Sequence, residues 1–94
     1  MTDIKTYSPS KELSQNAHIT PEKYDAMYNG SINQPDIFWA VQSKRIDWFK
    51  QPTIIKNTNF EGDVSIKWYE DGVLNACWNC LDRHLEENGE KIAF

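Results

Sequence analysis

Residues 64–85 carry two kinds of hydrophobic spacing in succession: VSIKWYEDGVLNACWNCLDRHL. Residues 64–69 alternate apolar and polar side chains, which is typical of a half-buried strand. The turn residues Glu70-Asp71-Gly72 predict a hairpin in which residues 73–74 fold back on that strand. Beyond Asn75, which is suited to an N-cap, the spacing changes to that of an amphipathic helix.

This predicted helix has an apolar stripe and a polar side. The stripe consists of Leu74, Cys77, Trp78, Leu81 and Leu85. We expect the intervening residues to face solvent, namely Asn79, Asp82, Arg83, Glu86 and Glu87. The sequence after Asn88-Gly89 predicts the start of a strand at residues 90–94, which needs neighbouring strands to satisfy its backbone. We therefore interpret the chain as truncated there.

Two shorter helices are predicted upstream. Thr20 can cap a helix whose first residue is Pro21 and which extends to about Asn29, where Gly30 supplies a stop signal. A second helix is predicted from Pro35 to about residue 46. Residues 57–63 predict a long, turn-rich connection around Phe60. Residues 1–19 lack a sustained apolar period, which predicts a mobile N-terminal arm.

Composition limits the class of protein. The 94 residues are 39% hydrophobic and 13% aromatic, enough for one small packed domain of marginal stability. Acidic residues outnumber basic ones 14 to 10, which argues against a nucleic-acid partner. The sequence contains no apolar run of membrane-spanning length and no signal-peptide pattern, and its two cysteines do not form a secreted disulfide framework. We expect a cytoplasmic protein without a membrane partner.

The motif Cys77-Trp78-Asn79-Cys80 is the strongest local signal for chemistry. Two thiols at this spacing can exchange a disulfide or ligate zinc, with His84 one turn further along. Neither the thioredoxin-like context nor a second ligand pair is present, so we favour Cys77 as a small buried hydrophobe. Phosphate-binding loops and activated nucleophiles are also missing. We expect no catalytic, cofactor-binding or metal-binding residues.

Aromatic residues are numerous for so small a chain, and they fit two interpretations. As stacking platforms they would bind bases or a coenzyme, but the net charge of -4 disfavours polyanions. We favour contact with another domain, because protein interfaces concentrate aromatic side chains.

Three segments resemble AMP-forming acetyl-CoA synthetases. They are Asp36-Ile37-Phe38-Trp39 with Ile46-Asp47-Trp48, then the stretch from Val64 to Gly72, then Asn79-Cys80-Leu81-Asp82-Arg83-His84-Leu85. The similarity covers about residues 24–94. At Cys77 and Trp78 the chain departs from the family, whose members often carry small residues there, which weakens the CxxC as a shared motif.

The resemblance implies the N-terminal cap segment of an adenylate-forming ligase, mostly α-helical with a short β-hairpin (α+β). It implies that residues 20–94 form this region and end in the first strand of a missing large domain. The parent enzyme would use ATP, Mg and CoA to activate acetate, and propionate or acetoacetate are the alternative substrates. Its functional residues would lie beyond this chain, which should be inactive alone.

The partner implied is the large domain of the parent synthetase. We define the predicted docking face as Leu74, Trp78, Leu81 and Leu85, because this is the most complete apolar stripe in the sequence. Two alternatives remain open: an independent interaction module that uses the aromatic surface, and a redox or zinc protein that uses Cys77 and Cys80.

Overall fold

A computed structural model describes residues 2–94, and it confirms an α+β chain with one two-stranded antiparallel sheet. The elements are, in chain order, α1 (Lys11–Asn16), α2 (Pro21–Asn33), α3 (Pro35–Ser43), β1 (Lys56–Asn59), β2 (Ser65–Trp68), α4 (Ala76–Cys80), a 3₁₀ helix (Asp82–His84) and α5 (Leu85–Asn88).

Helix α2 begins as predicted but ends later. The Thr20 hydroxyl accepts a hydrogen bond from the Lys23 amide at 3.2 Å, and Pro21 occupies the first turn. The prediction that Gly30 ends the helix is wrong, because α2 continues to Asn33. It stops where Pro35 disfavours helical backbone in the residue before it.

Helix α3 is shorter than predicted. It begins at Pro35 but ends at Ser43 instead of near residue 46. After Ser43 the backbone tightens into bonds three residues apart, such as that from the Ile46 amide to the Ser43 carbonyl at 3.3 Å. The Trp48 indole Nε1 also donates to the Ser43 carbonyl, at 2.9 Å. The Trp48 side chain therefore satisfies a carbonyl at the C-terminal end of α3, where the chain leaves the helix.

The predicted strand forms, but its partner differs from the prediction. Residues 65–68 pair with β1, in a register that sets Thr58 opposite Ile66 and Lys56 opposite Trp68. The turn-rich connection expected at 57–63 thus contains most of a strand, which its polar sequence KNTN did not indicate. The prediction that residues 73–74 fold back on β2 is wrong, because Val73 forms an isolated bridge with Lys50 instead.

The long helix predicted after Asn75 is interrupted. The Asn75 side chain accepts from the Trp78 amide at 2.9 Å, which confirms the N-cap. The helix then breaks at Leu81, whose φ of -123° and ψ of -64° are not helical. The break directs Arg83 toward the loop after α3, where Nη1 lies 3.4 Å from Asp47 Oδ2. The expectation that Arg83 faces solvent is wrong, because its side chain is three-quarters covered.

The two ends of the described chain extend away from these contacts. Helix α1 lies within the predicted arm and is exposed throughout, with the Ser10 hydroxyl as its N-cap. Residues 91–94 form no strand in this chain, since a strand requires a hydrogen-bonded neighbour. Among the described residues, no helix has both the length and the apolar character needed to cross a membrane.

The molecule is open in shape. Its radius of gyration is 19.0 Å and its principal extents are 50 × 45 × 25 Å. A compact domain of this length has a radius of gyration of about 12 Å. The helices and the hairpin therefore do not enclose a common core.

Candidate docking surface

Polar residues occupy the most buried positions of this chain. Within residues 2–94 no hydrophobic residue is buried, whereas Ser43 and Asn79 are each only 6% exposed. The accessible surface is 8755 Å², against about 5,600 Å² for a typical folded monomer of this mass. The chain thus carries roughly 3,000 Å² more surface than a self-contained domain of its size.

Asn79 joins α4 to the loop after α3. Its Oδ1 accepts from the Asp47 amide at 2.7 Å, and its Nδ2 donates to the Asp47 carbonyl at 2.9 Å and to the Asn75 carbonyl at 3.0 Å. The expectation that Asn79 faces solvent is therefore wrong. Hydrophobic spacing could not predict this contact, because the Asn79 side-chain amide pairs with the backbone N–H and C=O of a residue that is distant in the sequence.

Asp71 holds the loop before β1 against the turn after β2. Its carboxylate accepts from the Thr53 hydroxyl, from the Thr53 amide at 2.9 Å and from the Ile54 amide at 3.0 Å. These hydrogen bonds lower the pKa of the Asp71 carboxyl well below its ordinary value. The sequence predicted the turn at Glu70-Asp71-Gly72 but not these contacts of the Asp71 carboxylate.

Tyr69 connects the end of β2 to α3. Its hydroxyl donates to the Trp39 carbonyl at 2.7 Å, and burial raises the pKa of that hydroxyl. Its backbone φ is +50°, a strained conformation for a residue other than glycine. The Trp39 ring meets Trp68 edge to face at 5.8 Å. The hydrogen bond from Tyr69 to Trp39 and the contact between the Trp39 and Trp68 rings together hold the hairpin beside α3.

The structure distributes the predicted docking face over several elements. Trp78 lies on α4 and is half-buried, with its ring 5.9 Å from Phe49. Leu81 and Leu85 lie at the helix break and at the first residue of α5, and they are 62% and 61% exposed. Leu74 lies before α4 and is 37% exposed. The single helical stripe predicted from the spacing is thus wrong, while these leucines are accessible.

A second apolar surface, which the sequence did not indicate, lies between α2 and α3. We call it the α2–α3 groove: a cavity of about 270 Å³ lined by Ser31 and by the apolar or aromatic residues Ile19, Tyr24, Met27, Tyr28, Phe38 and Trp39. None of these lining residues carries a formal charge. The Tyr24 and Tyr28 rings stack at 6.2 Å, as expected for residues one helical turn apart.

The CxxC motif lies on the surface. Cys77 and Cys80 are both free and exposed, so the prediction that Cys77 is buried is wrong. Among residues 2–94, no three His, Cys, Asp or Glu side chains are grouped so as to hold a metal ion.

Comparison with known proteins covers nearly the whole chain. The family model described as "Acetyl-coenzyme A synthetase N-terminus" matches residues 24–80. The acetyl-coenzyme A synthetase of Bartonella quintana (strain Toulouse) is 51% identical over 90 residues, and those of Brucella canis and Brucella abortus (strain S19) are 52% identical. Each alignment covers 96% of this chain.

The chain spans 14% of the length of these relatives. The matched segment includes α2 from Tyr24 onward, α3, the hairpin and α4, and thus the Asn79, Asp71 and Tyr69 contacts described above. This chain belongs to the family of the acetyl-coenzyme A synthetase N-terminus.

Proposed function

We propose that this chain is the N-terminal docking segment of an AMP-forming acetyl-CoA synthetase and that it is catalytically inactive alone. In the parent reaction, acetate and ATP form acetyl-AMP and pyrophosphate, and CoA then takes the acetyl group with release of AMP. ATP, Mg and CoA would bind to the remainder of that enzyme. A cytoplasmic location stays a prediction.

The observation that carries this proposal is the surplus of surface. This chain of 11.0 kDa exposes 8755 Å² of total surface, more than a compact monomer of its mass, and no hydrophobic residue among residues 2–94 is buried. A standard interface buries about 800 Å² on each partner, so the surplus is enough for an extensive contact. The region that this chain matches is 14% of the Bartonella quintana synthetase, so the remainder of such a polypeptide is the partner that we propose covers this surface.

The predicted docking face is one part of this contact. Leu81 and Leu85 are exposed, and Trp78 is half-buried in an edge-to-face pair with Phe49. Aromatic residues held in place by neighbours are typical of interface anchors, because little side-chain entropy is lost when they dock.

A fusion protein tests the proposal. The 94-residue chain replaces the matched segment of the Bartonella quintana synthetase, and acetyl-CoA formation and trypsin cleavage are compared between fusion and isolated chain. We expect an active fusion in which cleavage after Lys44 and Arg45 is slowed at least ~10-fold, because docking lowers the population of open chain. The isolated chain should be inactive and rapidly cleaved.

Leu81→Asp tests the docking face within this fusion. Burial of an unpaired carboxylate is costly, so cleavage after Lys44 should accelerate by roughly 10-fold or more. Leu13→Asp on exposed helix α1 is the matched control and should change the rate less than ~3-fold. Equal effects of the two substitutions would remove Leu81 from the interface.

The remaining alternatives give different outcomes. An independent interaction module would unfold cooperatively by itself and would gain no protection in the fusion. A redox or zinc protein would contain metal after purification or lose an activity of its own on Cys80→Ala. Either result would overturn the docking proposal.

A further inference from the structure

We propose that the α2–α3 groove is a second docking site, which receives apolar side chains from the remainder of the synthetase polypeptide. This inference rests on the proposed function and extends it to a surface distinct from the predicted docking face. The two surfaces share no residue: the groove is formed by residues 19–39, and the docking face by residues 74–85.

The lining of the groove defines the chemistry of its occupant. Its walls consist of Ile19, Met27, Phe38 and three larger aromatic rings, without a charged side chain. A nucleotide, a phosphate or an acidic peptide would find no cation among these lining residues, because Lys23 and Arg45 line the adjoining cavity and not the groove itself. Apolar groups fit, because their transfer from water is favourable without a polar partner.

The size of the groove favours side chains over a free ligand. Its volume of about 270 Å³ is slightly below the roughly 300–1,000 Å³ of pockets that enclose small molecules. It is also an open trough on an extended chain, so a free apolar ligand would remain partly in water. Side chains presented by an adjoining protein surface fill such a trough and cover it at the same time.

The chain lengths of the relatives favour an occupant in the same polypeptide. All but 14% of each synthetase lies outside the segment that this chain matches. A partner tethered through the backbone is present at a high effective concentration, which a separate protein rarely reaches. The match of the family model begins at Tyr24 and includes the groove residues from there to Trp39.

The groove is also held in a fixed position relative to the rest of the segment. Trp39 lines it and accepts the Tyr69 hydroxyl at its carbonyl, at 2.7 Å. The same indole contacts Trp68 of β2. A partner that fills the groove would therefore also orient the hairpin, and preorganisation of this kind lowers the entropic cost of docking.

The test uses the fusion protein with three variants. Tyr28 is 55% exposed and lines the groove, so Tyr28→Asp introduces a charge into the docked contact with little effect on the free segment. Ile37→Asp is the matched control, because Ile37 is 62% exposed on α3 and lies outside the groove lining. Tyr28→Phe keeps the ring and removes only the hydroxyl.

Trypsin cleavage after Lys23 and Lys44 is the measurement, because none of the substitutions alters these sites. We expect Tyr28→Asp to accelerate cleavage of the fusion at least ~10-fold, and Ile37→Asp and Tyr28→Phe less than ~3-fold. In the isolated chain all three variants should be cleaved within about twofold of wild type.

Each contrary result has a distinct meaning. If Leu81→Asp accelerates cleavage while Tyr28→Asp behaves like Ile37→Asp, the segment docks but not through the groove, and this inference alone fails. If the wild-type fusion shows no protection, the docking function fails as well. Size-exclusion chromatography tests for a second copy. If the isolated chain dimerises and Tyr28→Asp abolishes the dimer, a second copy of the chain occupies the groove, and the proposal that the remainder of the synthetase occupies it is overturned.

Discussion

At the scale of single residues, this chain uses polar side chains in positions that globular domains give to apolar ones. Asn79 is the clearest case, because its amide pairs with both the amide and the carbonyl of Asp47, 32 residues away. Such a pair fixes distance and orientation at once, whereas an apolar contact is not directional. Residues 45–47 are therefore held against α4 without a hydrophobic core.

Asn79→Ala should release this contact. The Asp47 amide and carbonyl would lose two partly buried hydrogen bonds, at a cost of about 1–3 kcal/mol for the pair. Hydrogen exchange of the Asp47 amide should accelerate roughly 10-fold relative to wild type. Asn33→Ala, at the exposed end of α2, is the control and should leave that amide unchanged. An unaltered Asp47 amide in Asn79→Ala would show that the bridge contributes little.

Asp71 makes the contact between the turn and the loop before β1 dependent on pH. Its folded pKa lies below the unfolded value, so the contact is at full strength above about pH 4 and is lost as the pH falls further. NMR titration of the 94-residue chain should place the Asp71 carboxyl pKa below that of a free aspartate. Asp71→Asn should weaken protection of the Thr53 and Ile54 amides at neutral pH. A carboxyl pKa near the ordinary 3.9 would contradict the hydrogen bonds described here.

At the scale of elements, two glycines show how neighbours decide what a residue does. Gly30 lies inside α2, and a Cβ placed there would meet Phe38 Cδ2 at 3.8 Å, an ordinary contact. Gly72 lies in the turn after β2, and a Cβ there would approach Trp48 Cζ3 to 2.6 Å. Trp48 has little freedom to move, because its indole nitrogen is bonded to the Ser43 carbonyl.

The same substitution should therefore have opposite effects at the two positions. Gly30→Ala should stabilise α2 by about 0.5–1 kcal/mol, since alanine restricts the unfolded chain and favours helix. Circular dichroism of the isolated chain should show increased helix content. Gly72→Ala should cost about 1–3 kcal/mol through displacement of Trp48, with faster exchange of the Val73 amide that pairs with Lys50. A loss of helix in Gly30→Ala would mean that α2 ends at Gly30 after all.

The hairpin illustrates why pairing is harder to predict than strand location. The alternation in residues 64–69 correctly indicated β2, because successive side chains of a strand point to opposite faces, although Ile66 and Trp68 are both exposed in this chain. Its partner β1 has the sequence KNTN, which resembles a turn by composition. The backbone of Thr58 pairs with that of Ile66 whatever their side chains are. Register therefore depends on the fold around the hairpin, above all on the Asp71 contact that draws residues 53–54 to the turn.

At the scale of the whole molecule, the open shape has a direct consequence in solution. A radius of gyration of 19.0 Å is well above the roughly 12 Å of a compact domain. Small-angle X-ray scattering of the isolated chain should give at least the larger value, and thermal unfolding should lack a sharp transition, because no shared core couples the elements. A radius near 12 Å with a cooperative transition would identify a self-sufficient domain.

The sequence by itself determined the family, the α+β class, two of the helix N-caps and the location of β2. The family was indicated by the resemblance of whole segments, whereas the caps and β2 follow from local spacing and capping, which operate within a few residues. The tertiary structure alone decided the partner of β2, the break at Leu81 and the contacts of Asn79, Asp71 and Tyr69. The contacts Asn79–Asp47, Asp71–Ile54 and Tyr69–Trp39 join residues 32, 17 and 30 positions apart. Local sequence patterns do not specify which distant residues meet in this way.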